Sequence, residues 1–386
     1  MTISIYPSFN LKKISEYYFY KKNKELKFLE KKGNKIINLG IGNPDLFPPL
    51  GVIKTMKKAS ENENANKYQE YLGIPNLRKK FSEWYYKNYK IDLNPENEIF
   101  PLMGSKEGIL YTSMAYLNKN DYVLIPNPGY PTYTSISKLI GGKIIYYSLI
   151  EKNKWLPNLF EINKFNLNKV KIFWINYPHM PTGAKINIEE LEKIVFFSIK
   201  NNILLVHDNP YSFILNDNPI SIFNIKKSKD VSLELNTLSK SYNMAGWRIG
   251  MIAGKKNILE NIIKIQSQVH SGMYFPLQKG AIEAMKFNNN WFISQNKEYY
   301  KRRNIIWEIC DLLKISYSKN SAGLFVWGKL NKKNDILWTN KILYKYKIFI
   351  TPGSIFGSNG KGYVRLSLCC KKQFLKTAKK RIIKNY

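Results

Sequence analysis

Between residues 100 and 255 the chain carries six short runs that are apolar on both sides of their alternation, separated by stretches with helical spacing. They are DYVLIP (121–126), KIIYYSL (143–149), KIFWINYP (171–178), ILLVHD (203–208), VSLELN (231–236) and IGMIAG (249–254). A strand with one solvated face alternates apolar and polar residues. A strand apolar on both faces fits the interior of a mostly parallel sheet covered by helices on each side. The pattern therefore predicts an α/β fold with a large domain built on a mostly parallel mixed sheet between helices. After about residue 288 the text changes. A long charged helix (288–314) precedes a strand-like run at 322–330, a helix at 333–346, two further strand-like runs (KIFIT and GYVRLSL) and a basic closing helix, which predicts a smaller α+β domain. The expected division is an N-terminal arm with part of the small domain at 1–48, the large domain at 49–286 and the C-terminal small domain at 287–386.

In open α/β sheets, ligands gather at the carboxyl ends of the strands. Three unusual residues fall there: Asn176 after KIFWI, Asp208 after ILLVH and Lys240 after VSLELN.

The charge balance needs separate treatment. Lys and Arg number 61 against 28 Asp and Glu, a formal +33. Such a balance points first to a nucleic-acid partner. Here, however, only Arg78, Arg248, Arg302, Arg303, Arg365 and Arg381 are arginines, leaving 55 lysines, spread along the whole chain rather than gathered in a stripe. Asn, Ile and Tyr are abundant as well, so the excess reads as compositional drift and no nucleic-acid partner is expected. No apolar run is long enough to span a bilayer, and the first residues are polar and aromatic rather than a leader with a long apolar stretch. The expectation is a cytoplasmic protein with no membrane partner. Cys310, Cys369 and Cys370 have no metal-ligand spacing, so no metal is expected, and they read as buried reduced thiols.

The most specific segment is Thr237-Leu-Ser-Lys-Ser-Tyr-Asn-Met-Ala-Gly-Trp-Arg-Ile-Gly250. Lys240 alone would be one lysine among many. Here it stands with Thr237, Ser239, Gly-Trp and Arg248 in one short stretch. The segment resembles the cofactor-lysine motif of class I and II aminotransferases, the fold-type I pyridoxal 5′-phosphate enzymes, and in particular the aspartate and LL-diaminopimelate aminotransferase-like group. The resemblance extends over residues 35 to 370 and implies an aspartate aminotransferase-like fold whose large domain binds the cofactor. Lys240 would hold pyridoxal phosphate, since only an amine condenses reversibly with an aldehyde and can then act as a base. Arg248 would grip the phosphate in a bidentate fork, with Thr237 and Ser239 beside it.

Other segments match the same family. In His207-Asp208-Asn-Pro-Tyr211, the resemblance implies that Asp208 faces the pyridine nitrogen and Tyr211 the ring's O3′; alone, the segment is an Asp-Asn-Pro turn. Gly104-Ser105-Lys106-Glu-Gly opens a helix whose first-turn N–H groups point outward. Those three residues are implied phosphate ligands, although the stretch is also an ordinary helix start. In Asn127-Pro-Gly-Tyr130-Pro-Thr-Tyr133, Tyr130 would stack on the cofactor ring and Tyr133 reads as a core aromatic. Arg365, in Gly-Tyr-Val-Arg-Leu-Ser, would take the substrate α-carboxylate, a geometry lysine cannot reproduce. The loop Asn38-Leu-Gly-Ile-Gly-Asn-Pro-Asp45 would line the substrate site through Gly42 and Asn43. It lacks the third glycine of a dinucleotide fingerprint. Tyr68 would reach the phosphate in a partner subunit, so a homodimer with shared active sites is expected. His207 and His270 read as structural.

One position departs from the family. Asn176-Tyr-Pro-His-Met180-Pro-Thr-Gly183 has methionine where the resemblance calls for an asparagine donating to O3′, and a thioether cannot donate. Tyr211 alone, or with His179 or water, then serves O3′, or the enzyme is impaired or differently tuned. Losing such a bond amounts to about 1.5–3 kcal/mol, which slows the chemistry without abolishing it.

The implied activity is transfer of an amino group between an amino acid, with glutamate as one partner, and a 2-oxo acid in amino-acid biosynthesis. Aspartate and diaminopimelate are the candidate substrates. Three alternatives stay open at this stage: a lyase or decarboxylase using the same cofactor, a basic nucleic-acid-binding protein without catalysis, and a regulator of the same fold that binds the cofactor but has lost turnover, which Met180 alone supports.

Overall fold

The six apolar runs become six strands of one seven-stranded sheet. The structure is a computed structural model that describes residues 5–287, 289–332 and 334–384. The expected chain ends at 1–4 and 385–386, and the expected helix starts at 288 and 333, lie outside the described residues.

In chain order the strands are β1 (Ile37–Asn38), β2 (Ile99–Leu102), β3 (Tyr122–Asn127), β4 (Lys143–Ser148), β5 (Val170–Ile175), β6 (Leu204–Asp208), β7 (Ser232–Thr237), β8 (Gly250–Gly254), β9 (Ser316–Tyr317), β10 (Phe325–Lys329), β11 (Ile348–Phe349), β12 (Thr351–Pro352) and β13 (Tyr363–Ser367). The large sheet has the order β2-β8-β7-β6-β5-β3-β4. All its neighbours pair parallel except β8, which is antiparallel to both β2 and β7.

Period-two alternation explains why these strands read as apolar throughout. Phe173 and Ile175 of β5 join one buried cluster, with Leu124, Leu205 and Met251. Ile172 and Trp174 join the cluster on the opposite face, with Val123, Val206 and Ile252. All four β5 side chains are fully buried. Helices seal both faces and end on local signals. The helix Ile188–Lys200 starts at Asn187, whose Oδ1 accepts the Glu190 amide at 2.8 Å. The helix Pro131–Ile140 stops at Gly141, with φ at +100°, where a Cβ would be strained.

A third cluster fills the C-terminal part around the antiparallel sheet β12-β13-β10-β9 and the 24-residue helix Asn289–Leu312. Its members include Ile37 and Leu39 from near the N-terminus and Met180 and Tyr211 from the large sheet's carboxyl edge. The expected single strand KIFIT is divided. Its first residues form β11 and pair parallel with β1, and Thr351 turns into the antiparallel sheet as β12. Among the described residues no helix is long and apolar enough to cross a membrane.

Candidate active site

Strands β5, β6 and β7 are neighbours, so their carboxyl ends open at one edge and bring Asn176, Asp208 and the turn Leu238–Ser241 together. Asn176 ties two of these segments. Its Nδ2 donates to the Asp208 carbonyl at 2.6 Å and its Oδ1 accepts the Met180 amide at 2.8 Å. Thr237 starts the turn that carries Lys240: its Oγ1 accepts the Ser239 amide at 3.1 Å and donates to the Ile249 carbonyl at 2.9 Å.

Above this edge lies a cavity of ≈ 290 Å³. Its cations are Lys106, Lys240, Arg248 and Arg365, and its one acid is Asp208. Lys240 Nζ donates to the Gly42 carbonyl at 3.1 Å. Burial pulls its amine below the usual lysine range, and the positive charges of Arg248 and Arg365 push the same way. Asp208 is 4% exposed. Burial pushes its carboxyl up to about 6, against the pull of a hydrogen bond from Tyr133 and the nearby His207. Tyr133 donates to Oδ2 at 2.6 Å while its ring stacks on Trp174 at 4.9 Å.

Arg365 projects from β13 into the same cavity. Nη2 donates to the Gly40 carbonyl at 2.8 Å and Nη1 lies 3.2 Å from the Met180 sulfur. The guanidinium sits 3.9 Å from the Phe325 ring, 4.7 Å from Phe356 and 5.3 Å from Phe19. Burial lowers Arg365 to about 10, which leaves it charged at neutral pH. At the opposite side, Gly104, with φ at +85°, precedes the helix Ser105–Tyr116. A Cβ at Gly104 would collide with the Arg248 Nη2, so only glycine leaves room for that guanidinium.

Thirteen of the residues singled out in the sequence line this one cavity: Gly42, Ser105, Lys106, Tyr130, Asn176, Met180, Asp208, Tyr211, Thr237, Ser239, Lys240, Arg248 and Arg365. Gly104 stands behind Arg248. Asn43 is exposed, and Tyr68 is 91% exposed on this single chain; neither lines the cavity. Tyr133, which read as a core aromatic, is the direct partner of Asp208. His179, a candidate helper for the missing asparagine, does not line the cavity. It lies 2.8 Å from Thr182 Oγ1, and burial lowers it to about 3, so it is neutral. His207 is buried with Nδ1 3.1 Å from Glu234 and Nε2 2.9 Å from the Tyr177 carbonyl.

The sequence reading missed Tyr17, Phe19, Phe325 and Phe356 as cavity residues. Tyr17 lines the cavity with Tyr130, and its ring lies 4.8 Å from Lys106 Nζ. No local signal marked Tyr17 or Phe19, which sit in a segment of alternating aromatic and charged residues.

The residues present fit pyridoxal phosphate. Asp208 Oδ1 is buried with no hydrogen-bond partner among the described residues, as expected of an oxygen facing a protonated ring nitrogen. Arg365 Nε is likewise buried with no hydrogen-bond partner among the described residues. Ser105, Thr237, Ser239, Lys106 and Arg248 line the cavity and supply the hydroxyls, cations and helix N-terminus a phosphate needs.

Comparison with known proteins gives the same family. The profile described as "Aminotransferase class I and II" matches residues 34–382. An LL-diaminopimelate aminotransferase of Dehalococcoides mccartyi (strain CBDB1) is 36% identical over 362 residues, covering 93% of this chain and 93% of its own. Among solved structures, apo-BacF from Bacillus subtilis superposes with a TM-score of 0.95 at 32% identity, covering 100% of this chain and 99% of that one. A Thermus thermophilus aspartate aminotransferase mutant shares the fold, with a TM-score of 0.90 at 21% identity over 99% of this chain and 100% of that one.

Proposed function

The chain belongs to the class I and II aminotransferase family, a pyridoxal phosphate-dependent family, and on that premise we propose that it exchanges amino groups between glutamate and a 2-oxo acid of amino-acid biosynthesis. Aspartate and LL-diaminopimelate are the candidate amino acids on the other side. The second is favoured by the 36% identity to the Dehalococcoides mccartyi enzyme over 93% of the chain.

The observation that carries the reading is the convergence on one 290 Å³ cavity of Lys240, the Asp208 oxygen that has no partner among the described residues, and the Arg365 guanidinium. When bound, pyridoxal phosphate supplies an aldehyde that condenses with amines and a ring that accepts the electron pair released at the substrate Cα. The chain's own groups do the rest. Arg365 binds the α-carboxylate, and its desolvated surroundings of Phe19, Phe325 and Phe356 strengthen that attraction. Lys240, with its amine lowered by burial, would accept the Cα proton at Nζ and hold it for return. Asp208, held by Tyr133, presents a negative charge to the ring nitrogen. Tyr211 donates to the ring oxygen. Arg248, Ser105, Lys106, Thr237 and Ser239 hold the phosphate, with Gly104 leaving room for Arg248, and Tyr130 covers the ring. Gly42 and Asn43 belong to the loop on the substrate side.

Tyr68 is assigned to the phosphate of a second copy, in a cytoplasmic homodimer with shared sites; its 91% exposure on the single chain leaves it free for that contact.

The test is glutamate formation from 2-oxoglutarate by the cofactor-loaded protein, with LL-diaminopimelate or aspartate as donor. Glutamate formed with either donor is the expected result. A protein that loads the cofactor but forms glutamate from neither contradicts the proposal.

A further inference from the structure

In a chain that uses lysine for 55 of its 61 basic residues, a buried arginine marks a place where a point charge does not serve. Arg302 is 3% exposed and lies outside the cavity, on the helix Asn289–Leu312. Its Nη1 donates to Asp45 Oδ1 at 2.6 Å and to the Leu368 carbonyl at 3.1 Å, and its Nε donates to Glu298 Oε1 at 2.9 Å. The two contacts that bridge loop and strand come from Nη1 alone, while Nε takes Glu298. A lysine nitrogen falls about where the guanidinium carbon lies, one bond short of Nη1, and its single ammonium cannot serve both ends.

The two segments that Arg302 joins are those that place the site's cations. The first is the loop 38–45. Its Gly40 carbonyl accepts from Arg365 Nη2 at 2.8 Å, and its Gly42 carbonyl accepts from Lys240 Nζ at 3.1 Å. Close packing limits its movement, because a Cβ at Gly42 would strike the Phe325 ring and one at Gly40 the Phe349 ring. The second segment is β13, which carries Arg365 and runs on to Leu368. The Ser367 amide of β13 donates to the Leu39 carbonyl at 2.7 Å. Loop and strand are thus joined on one side of Gly40 by that backbone bond, and beyond Gly42 by Arg302 bridging Asp45 to Leu368.

We propose that Arg302, through Asp45 and Leu368, is a positioning residue that fixes the Gly40–Gly42 carbonyls and so aims Arg365 at the substrate α-carboxylate. This inference rests on the carboxylate-binding role proposed above for Arg365. Without the bridge the loop keeps its Leu39 bond and the bond from Thr351 Oγ1 to the Gly40 carbonyl at 2.8 Å, but loses its tie at the Asp45 end. The Gly40–Gly42 carbonyls are then anchored from one side, and the arm of Arg365 that Gly40 accepts is aimed less tightly.

The test uses the cofactor-loaded full chain with three substitutions. Arg302→Lys keeps the charge and withdraws the donor from the Nη1 position. Asp45→Asn keeps the shape and loses the ion pair. Glu298→Gln alters the third partner, which touches neither segment. Binding of 2-oxoglutarate is measured by calorimetry, KM and kcat for glutamate by turnover, and folding by thermal melting. The inference predicts that Arg302→Lys and Asp45→Asn each raise the 2-oxoglutarate dissociation constant and the glutamate KM by roughly tenfold, the scale of one charged hydrogen bond. It also predicts that kcat changes less than KM, and that the double variant is no worse than the single ones because both remove one bridge. Glu298→Gln stays at wild-type values. If Arg302→Lys does not fold, Asp45→Asn alone decides. Variants that melt earlier but keep wild-type dissociation constant and KM overturn the inference and leave Arg302 purely structural. A wild-type chain that neither loads cofactor nor binds 2-oxoglutarate counts instead against the aminotransferase roles.

Discussion

Tyr133 donates its phenolic proton to Oδ2 of Asp208 at 2.6 Å, while Oδ1 of the same carboxylate is buried with no partner among the described residues. The carboxylate is therefore held from one side and free on the side facing the cavity. Replacing Tyr133 by Phe keeps the stack on Trp174 and removes the hydrogen bond. A bond to a charged group contributes about 1.5–3 kcal/mol. The Tyr133→Phe enzyme is expected to lose roughly 10- to 100-fold in kcat/KM with its fold intact. Steady-state kinetics beside a melting curve check this. Unchanged kcat/KM would return Tyr133 to the core.

Asp208 also gives a pH-dependent stability. Its carboxyl moves from the ordinary 3.8 up to about 6 because burial penalises the charged form. Between those values the folded chain holds a proton that the unfolded chain has lost, so stability falls as pH rises from about 4 to 6 and stays low above that. Two units correspond to about 3 kcal/mol as an order of magnitude. Asp208→Asn should therefore stabilise the cofactor-free protein at pH 8 and change it little at pH 4, while abolishing activity. Urea unfolding of both proteins at the two pH values is the measurement. A variant no more stable than wild type at pH 8 would refute the burial argument.

Met180 lies between two roles. Its sulfur contacts Arg365 Nη1 at 3.2 Å, and it offers no donor toward the cofactor's ring oxygen. Met180→Asn supplies an amide donor that stabilises a negative ring oxygen. The pH midpoint of the visible cofactor band is expected to move to lower pH, and kcat/KM to rise by up to about tenfold. A pH titration of the absorbance in both proteins decides. A wild-type midpoint already well below neutral would show that the missing donor has been replaced.

The phosphate end is set by space. Gly104→Ala places a methyl group on Arg248 Nη2 and forces a side chain into the left-handed region. Arg248 must withdraw, and pyridoxal phosphate should bind at least about tenfold more weakly, read from an absorbance titration of the cofactor-free protein. Wild-type affinity in this variant would remove Arg248 from the phosphate.

What could be read from the sequence follows the range of the interactions. Strands β5 and β6 were legible because both their faces are buried, so apolarity is continuous in the text. Strand β8 was legible as a strand, but its reversed direction was not, since alternation has no polarity. Strand β2 was not singled out: it is four residues long and contains Pro101. Lys240, Arg248 and Asp208 were legible because their chemistry needs neighbours close in sequence. Phe19 was not, because it meets Arg365 only through the tertiary fold. The partner of Arg302 is equally remote, 257 residues away in the loop at Asp45. Tyr133 was visible, but a buried tyrosine announces its partner only once the strands are assembled.

The central claim is that Lys240 holds the cofactor and that the assembled site moves amino groups. The most direct measurement is the absorbance spectrum of the purified protein with pyridoxal phosphate, before and after glutamate, beside Lys240→Ala. The account predicts a band at the edge of the visible range that glutamate shifts into the near ultraviolet and a 2-oxo acid restores, and that Lys240→Ala lacks. A wild-type protein with no such band after addition of pyridoxal phosphate, or undiminished turnover in Lys240→Ala, would contradict it.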